Sequence, residues 1–154
     1  MDDIAARYAD QDVNSIFLYT HEAHPGEYYP HLTSLQQKFS HARDFRDRFQ
    51  VSRQILVDNL SGDCHRAYGS MPNMTWIFTR SGIPIYKSDW TDASSVENAL
   101  SHFLHGTQRR REGTPVVPFR VRRLDFREQD REAFYKGLER NGPKAVKEFR
   151  QAFG

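Results

Sequence analysis

The sequence of residues 13–25 is VNSIFLYTHEAHP, and it combines the first predicted strand with the first candidate site. Its first half is apolar and rich in β-formers, which is typical of a strand buried in a parallel sheet. Its second half becomes polar at His21 and ends at Pro25, which marks a loop. Side chains that follow a parallel strand lie at the sheet edge where α/β proteins bind ligands. The stretch therefore predicts an α/β fold with a site after its first strand.

The pattern continues on both sides of this stretch. A short helix precedes it, and a second helix is predicted from Leu35 to about Phe49, with Thr33 or Ser34 as its cap. The further predicted elements are a buried strand at 54–57, a helix at 63–68, a strand at 74–79, a turn at 80–82, a return strand at 83–86 and a helix ending at Leu104 with Ser94 or Ser95 as cap. The predicted order is therefore α-β-α-β-α-β-β-α.

The charge is divided unevenly along the chain. Residues 107–154 hold 13 Lys and Arg against 7 Asp and Glu, whereas residues 1–106 hold 9 against 13. We therefore predict an α/β domain over 1–106 and a basic extension over 107–154, with a strand at 116–126 and helices at 131–140 and 143–153. A basic extension suits an acidic partner or the acidic body of the same chain. The arginine run at 109–111 lacks the aromatic neighbours of a nucleic-acid site, so nucleic acid is not expected.

Composition excludes several classes of protein. A chain of 154 residues can form a core without disulfides or metal, and no cofactor is predicted. Cys64 is the one cysteine, which rules out a disulfide within the chain and a CxxC redox pair. No run approaches the roughly 20 apolar residues of a membrane helix. The first residues are acidic, unlike a signal peptide, so a cytoplasmic protein is predicted.

Five short motifs follow one another between residues 19 and 72. They are Tyr19 followed by EAHP at 22–25, the helix opening at 34–35 that continues to AR at 42–43, VD at 57–58, AYG at 67–69, and Pro72 where thioredoxin folds place a cis-proline. Together they resemble the iodothyronine deiodinases, a branch of the thioredoxin-fold superfamily, over about residues 4–104. The resemblance implies a thioredoxin-like sheet and an enzyme related to the oxidoreductases.

The sequence departs from that family where the chemistry is carried out. The family nucleophile, a selenocysteine or cysteine, follows a strand that would precede Ile4, and neither that strand nor the nucleophile has a counterpart here. KSDWTD at 87–92 replaces a glycine-rich, hormone-binding stretch, so deiodination of thyroid hormone is not expected. The missing strand is central in a thioredoxin fold. Three explanations stay open: the sheet is rearranged, a partner chain or a second copy in a dimer or other homo-oligomer supplies the strand, or the start is truncated. We favour an incomplete sheet completed in an oligomer, or a rearranged one.

Glu22 and His24 are the predicted catalytic residues. They are two positions apart after a strand, and a carboxylate beside an imidazole can make it an acid or base near neutral pH. The residues predicted to bind substrate are Tyr28, His31, Pro72 and Trp90; His31 resembles a substrate-contacting histidine of the deiodinases. The predicted function is acid–base catalysis on a small organic substrate, aromatic compounds included. Glu22 and His24 could equally be scaffold residues that hold the loop.

Two other functions stay open at this stage. The chain could be a non-catalytic thioredoxin-like binding or assembly subunit whose open sheet edge and basic tail engage a partner. It could also be a thiol oxidoreductase that uses Cys64, because a helix N-terminus and basic neighbours favour a thiolate. Metal is not predicted; if one were bound, His21, His24 and His31 would be its ligands.

Overall fold

The structure is a computed structural model that describes residues 1–114 and 130–153. Its helices are α1 (Asp2–Tyr8), α2 (Leu35–Phe49), α3 (Asp63–Ala67), α4 (Ala93–Arg111), α5 (Arg131–Arg140) and α6 (Pro143–Phe153). Its strands are β1 (Ile16–Tyr19), β2 (Gln54–Val57), β3 (Thr75–Phe78) and β4 (Pro84–Ser88). The chain is therefore of mixed α/β class, and the predicted order of elements is confirmed up to α4. Both helices of the extension are confirmed, whereas the strand predicted at 116–126 lies outside the described residues.

Side-chain caps determine where the longer helices begin. Ser34 accepts a hydrogen bond from the N–H of Gln37 at 3.1 Å, which confirms it as the cap of α2. At α4 the cap is Asp92, whose carboxylate accepts from Ser95 N–H at 2.7 Å, so the prediction of a serine cap was wrong. The carboxylate offers a stronger acceptor and a charge that the helix dipole favours.

Helix α4 continues past its predicted end at Leu104 to Arg111. Residues 105–111, HGTQRRR, contain no proline, and their arginines lie in the last turn, where the helix dipole favours positive charge. The boundary predicted between 106 and 107 therefore falls inside a helix. No helix in the described ranges is both long and apolar enough to cross a bilayer.

The strands form two separate pairs. β1 and β2 are parallel, with Tyr19 opposite Val57, and β3 and β4 form an antiparallel hairpin with Gly82 at φ 82° in its turn. No strand within 1–114 or 130–153 joins the two pairs. The described residues therefore form two small sheets rather than one. The thioredoxin-like arrangement itself stays a prediction.

The strands β1 and β2 are half-exposed, although the sequence predicted that they are buried. Helix α2 covers one face of the pair, where Phe17 stacks on Phe45 with ring centroids 4.8 Å apart. On the other face Ile16 is 46% exposed and Leu56 is 43% exposed. The prediction failed because an apolar run does not show whether both faces of its strand are covered.

The main apolar core lies against the second pair of strands. Ile4 of α1 packs with Val96 and Leu100 of α4, and Ile77 and Tyr86 from β3 and β4 pack against them. Burial of such side chains contributes about 1.5–3 kcal/mol each. Because Ile77 and Tyr86 face this core, the residues that alternate with them on β3 and β4 face away from α1 and α4.

Candidate functional site

The carboxyl ends of β1 and β2 bring a group of polar side chains together. Because the strands are parallel and in register, the residues after Tyr19 and those after Val57 leave the sheet at the same edge. We call this group the strand-end cluster; its members are Tyr19, His21, Glu22, Lys38, His41, Asp58 and His65. The sequence analysis singled out Glu22 and His21 from it as candidate ligands or catalysts.

Glu22 is bound to Tyr19 and His41. Its Oε1 accepts a hydrogen bond from the Tyr19 hydroxyl and lies 3.0 Å from Nδ1 of His41, a buried residue of α2. The ring of Tyr29 meets the His41 ring at 83°. Burial, and then the hydrogen bond and charge of Glu22, raise the pKa of Tyr19 above its usual range. Glu22 and His41 therefore form a carboxylate–imidazole pair at the strand ends.

The predicted pair of Glu22 and His24 does not form. Strand β1 ends at Tyr19, so the alternation of a strand no longer governs which way these two side chains point. The His24 ring instead packs against Phe134 of α5 and Phe149 of α6 at centroid distances of 5.7 and 5.5 Å. Burial there lowers the pKa of His24. The C-terminal extension thus lies back on its own body at the residue predicted to be catalytic.

Lys38 and Asp58 form the inner part of the cluster. Lys38 is 1% exposed, and its Nζ donates to the main-chain oxygen of Asn59 at 2.8 Å. Burial lowers the pKa of Lys38, although the negative charge of Asp58 acts to raise it. The Asp58 carboxylate accepts main-chain N–H bonds from Asn59, Cys64 and His65 at 2.8, 3.2 and 2.9 Å. Burial opposes its ionisation, but these bonds outweigh burial and hold the pKa of Asp58 below its usual range.

Two histidines complete the cluster at its edge. The rings of His21 and His65 are 4.9 Å apart, and Nε2 of His65 lies 2.8 Å from the main-chain oxygen of Met71, to which it donates. Burial, followed by the nearby His65 and Lys38, lowers the pKa of His21. Lys38, His41 and His65 were not predicted as site residues. Their helical positions give no local signal, because the fold alone brings them to the strand ends.

The surroundings of Cys64, the possible nucleophile of the thiol oxidoreductase alternative, do not favour a thiolate. It lies in the first turn of α3, but Asp58 accepts its N–H and occupies that helix end. Burial and the charge of Asp58 raise the pKa of the Cys64 thiol. The thiol oxidoreductase alternative rests on the positive end of the helix dipole and on basic neighbours, whereas the Asp58 carboxylate supplies a negative charge there.

The residues predicted to bind substrate lie on different elements. Tyr28 and His31 are exposed in the loop after β1, where the N–H of Tyr28 donates to Asn141 O at 3.3 Å. Pro72 precedes β3, and its peptide bond is trans rather than the expected cis. Trp90 follows β4, where Asn73 is its bridge partner. Two of the surface clefts formed by the described residues, of about 260 Å³ and 580 Å³, lie between α1 and α4 and on α5–α6, and none of these four residues lines them.

The three histidines named as ligands in case a metal is bound each have a different contact. His21 packs on His65, His24 packs on two phenylalanines, and the main-chain oxygen of His31 accepts from Gln37 at 3.5 Å. Within the described part of the chain, no three His, Cys, Asp or Glu side chains converge in the way that a metal ion requires.

The chain matches no protein-family model, and no curated protein or solved structure matches it either. The resemblance to the deiodinases therefore stays a prediction that rests on the motifs named above.

Proposed function

We propose that the chain is a binding or assembly subunit in which a second copy of the chain pairs with an open edge of the divided sheet. The proposal rests on the separation of the four described strands into two pairs. Across the described residues β1 is hydrogen-bonded to β2 alone and β3 to β4 alone. An open strand edge presents unpaired N–H and C=O groups that favour pairing with another chain.

An exposed aromatic surface on β3–β4 supports the same function. The rings of Trp76 and Phe78 stack with centroids 5.8 Å apart, and Tyr68 meets both rings edge-on. Ile77 faces the core, so Trp76 and Phe78 lie on the opposite face of the hairpin, where Phe78 is 40% exposed. We call this surface the aromatic face. Exposed apolar patches and aromatic anchors are typical of protein interfaces.

Native mass spectrometry and light scattering of the purified chain, over a wide range of protein concentration, test this proposal. We expect a dimer that Phe78→Glu dissociates, because a carboxylate on the aromatic face cannot be buried without a partner. The matched control is Phe153→Glu, which places the same charge on a phenylalanine that is 75% exposed at the end of α6. A wild-type chain that is monomeric throughout, or a dimer that Phe78→Glu leaves intact, contradicts the proposal.

A second candidate function is acid–base catalysis on a small organic molecule, aromatic compounds included. The observation that favours it is the buried contact of 3.0 Å between His41 Nδ1 and Glu22 Oε1. A carboxylate at one ring nitrogen sets the tautomer and leaves the other nitrogen for proton transfer. In this form of the hypothesis His41 replaces His24 as the acid or base.

Mass-spectrometric screening against a panel of small phenolic and carbonyl compounds tests the second candidate. We expect a turnover that His41→Asn and Glu22→Gln abolish and that His102→Ala retains, because His102 is exposed on α4 and belongs neither to the strand-end cluster nor to the predicted substrate-binding residues. No turnover by the wild-type chain, or turnover unaffected by both substitutions, contradicts it.

A further inference from the structure

The C-terminal hairpin of α5 and α6 is attached to the loop after β1 by hydrogen bonds, each of which has a main-chain group as at least one partner. Asn141, between the two helices, donates from Nδ2 to the His24 oxygen at 2.7 Å and accepts from Tyr28 N–H at 3.3 Å. Both carboxylate oxygens of Glu27 lie 3.0 Å from the N–H of Lys144 in the first turn of α6. A carboxylate there satisfies a free N–H and is favoured by the helix dipole.

Glycines bring the two segments into direct contact. A Cβ atom at Gly26 would lie 1.9 Å from the main-chain oxygen of Asn141. A Cβ atom at Gly142 would lie 2.2 Å from Glu27 Oε2, and Gly142 also has a φ of 104°. Only glycine fits at either position, so the docked arrangement is specific to these residues.

The His24 side chain lies at the centre of this contact. Its ring is nearly perpendicular to the rings of Phe134 and Phe149, which are themselves 4.8 Å apart. A neutral imidazole can pack among these rings, whereas an imidazolium would lose part of its hydration there. The lowered pKa of His24 has the same cause, burial.

We propose that His24 is a pH-operated latch, which docks the α5–α6 hairpin on the loop while its imidazole is neutral and releases the hairpin when it takes up a proton. Release would increase the exposure of Phe149 and of Phe134, which is already 38% exposed, and leave the 24–28 loop without its cover. The latch does not depend on the proposed assembly function, since the aromatic face lies on β3–β4.

Three charged side chains on the loop and on α6 have partners other than His24. Glu27 accepts a hydrogen bond from the N–H of Lys144, Glu22 contacts His41, and the guanidinium of Arg150 lies 5.5 Å from the centre of the Tyr135 ring. None forms an ion pair with His24 in the part of the chain that the structure describes. Docking is therefore strongest when the pH is above the ordinary histidine pKa of about 6.5, and it weakens as the pH falls through that value.

Nuclear magnetic resonance of the ¹⁵N-labelled full chain tests the latch. As the pH falls from about 7.5 to about 5, the interval in which histidine takes up its proton, we expect the α5–α6 amide signals to lose their docked positions. The pH midpoint of this change should coincide with the midpoint of the titration of the His24 ring. The amide signals of the α1–α4 core should keep their positions.

Three variants make the test specific. His24→Phe should keep the hairpin docked throughout this interval, and His24→Leu serves the same purpose if the larger ring does not fit. His31→Ala, on the same loop, should release the hairpin like the wild type. Glu27→Gln should weaken docking at every pH and leave the pH dependence in place. The proposal is overturned if the wild-type hairpin shows no pH-dependent release, or if the apolar variants still release it.

Discussion

The Nδ1 atom of His41 lies 3.0 Å from Oε1 of Glu22, and this contact joins α2 to the loop after β1. The same oxygen accepts from the Tyr19 hydroxyl at the end of β1. One carboxylate therefore holds the strand end, the loop and a helix together. All three side chains are mostly removed from water, so each depends on the others for its hydrogen bond.

Glu22→Ala should destabilise the protein by about 1–3 kcal/mol, because it leaves a buried hydroxyl and imidazole without a partner. Urea unfolding measures the effect. The matched control is Glu97→Ala, which removes a carboxylate whose contact with Arg7 at 2.7 Å is exposed. Its cost should stay below about 1 kcal/mol. Equal effects of the two substitutions would refute the structural role of the Glu22 contacts.

Asp58→Asn should reduce both the stability of the chain and its sensitivity to acid. The wild-type carboxylate has a lowered pKa, so its contribution is present above the ordinary Asp value and is lost as the pH falls through the folded-state value. We expect a loss of about 1–3 kcal/mol near neutral pH, since the amide accepts fewer of the N–H groups at α3. Unfolding by urea at several pH values should show the gap between wild type and variant closing in acid. A gap that stays constant with pH contradicts this prediction.

Lys38→Met should cost less stability than Lys38→Ala. Methionine fills most of the space of the buried stem and loses the bond to Asn59 O, whereas alanine also leaves a cavity. We expect about 1–3 kcal/mol for the methionine variant and a further loss for alanine. Thermal unfolding compares them, and equal stability of wild type and Lys38→Ala would show that the lysine is not part of the packed cluster.

Gly26→Ala should detach the C-terminal hairpin without unfolding the rest of the chain. The added methyl group would overlap Asn141 O, so the loop and the hairpin could not keep their present distance. Amide hydrogen exchange should rise in α5 and α6 and stay low in α4. The control is Gly137→Ala, where no atom lies within 4 Å of the new group and helix propensity favours alanine by about 1 kcal/mol. Unchanged exchange in Gly26→Ala would contradict the docked geometry.

The Cys64 thiol should react slowly with iodoacetamide at neutral pH. Its raised pKa keeps the thiolate fraction small, and Asp58→Asn should speed the reaction by removing the neighbouring charge. Mass spectrometry of the alkylated chain gives both rates. A wild-type rate above that of an unfolded control would instead support the thiol oxidoreductase hypothesis.

Local features of the sequence were sufficient to predict most of the elements. The Ser34 cap, the periodic apolar positions of α2 and the Gly82 turn act over a few neighbouring residues, so each can be recognised without the fold. The same holds for α5 and α6, which begin and end where their patterns predicted. The polar stretch after β1 also correctly marked the strand end at which the cluster lies.

The partners of the side chains were decided by the tertiary structure. Glu22 pairs with His41 rather than with His24, because the chain leaves the strand at Tyr19 and spacing along the sequence then no longer sets direction. Asn141 meets His24 across 117 positions, a contact that no local pattern encodes. Sequence by itself determined which segments are helix or strand, since those energies are local. Burial and pairing depend on which distant segments meet, and only the packed chain specifies that.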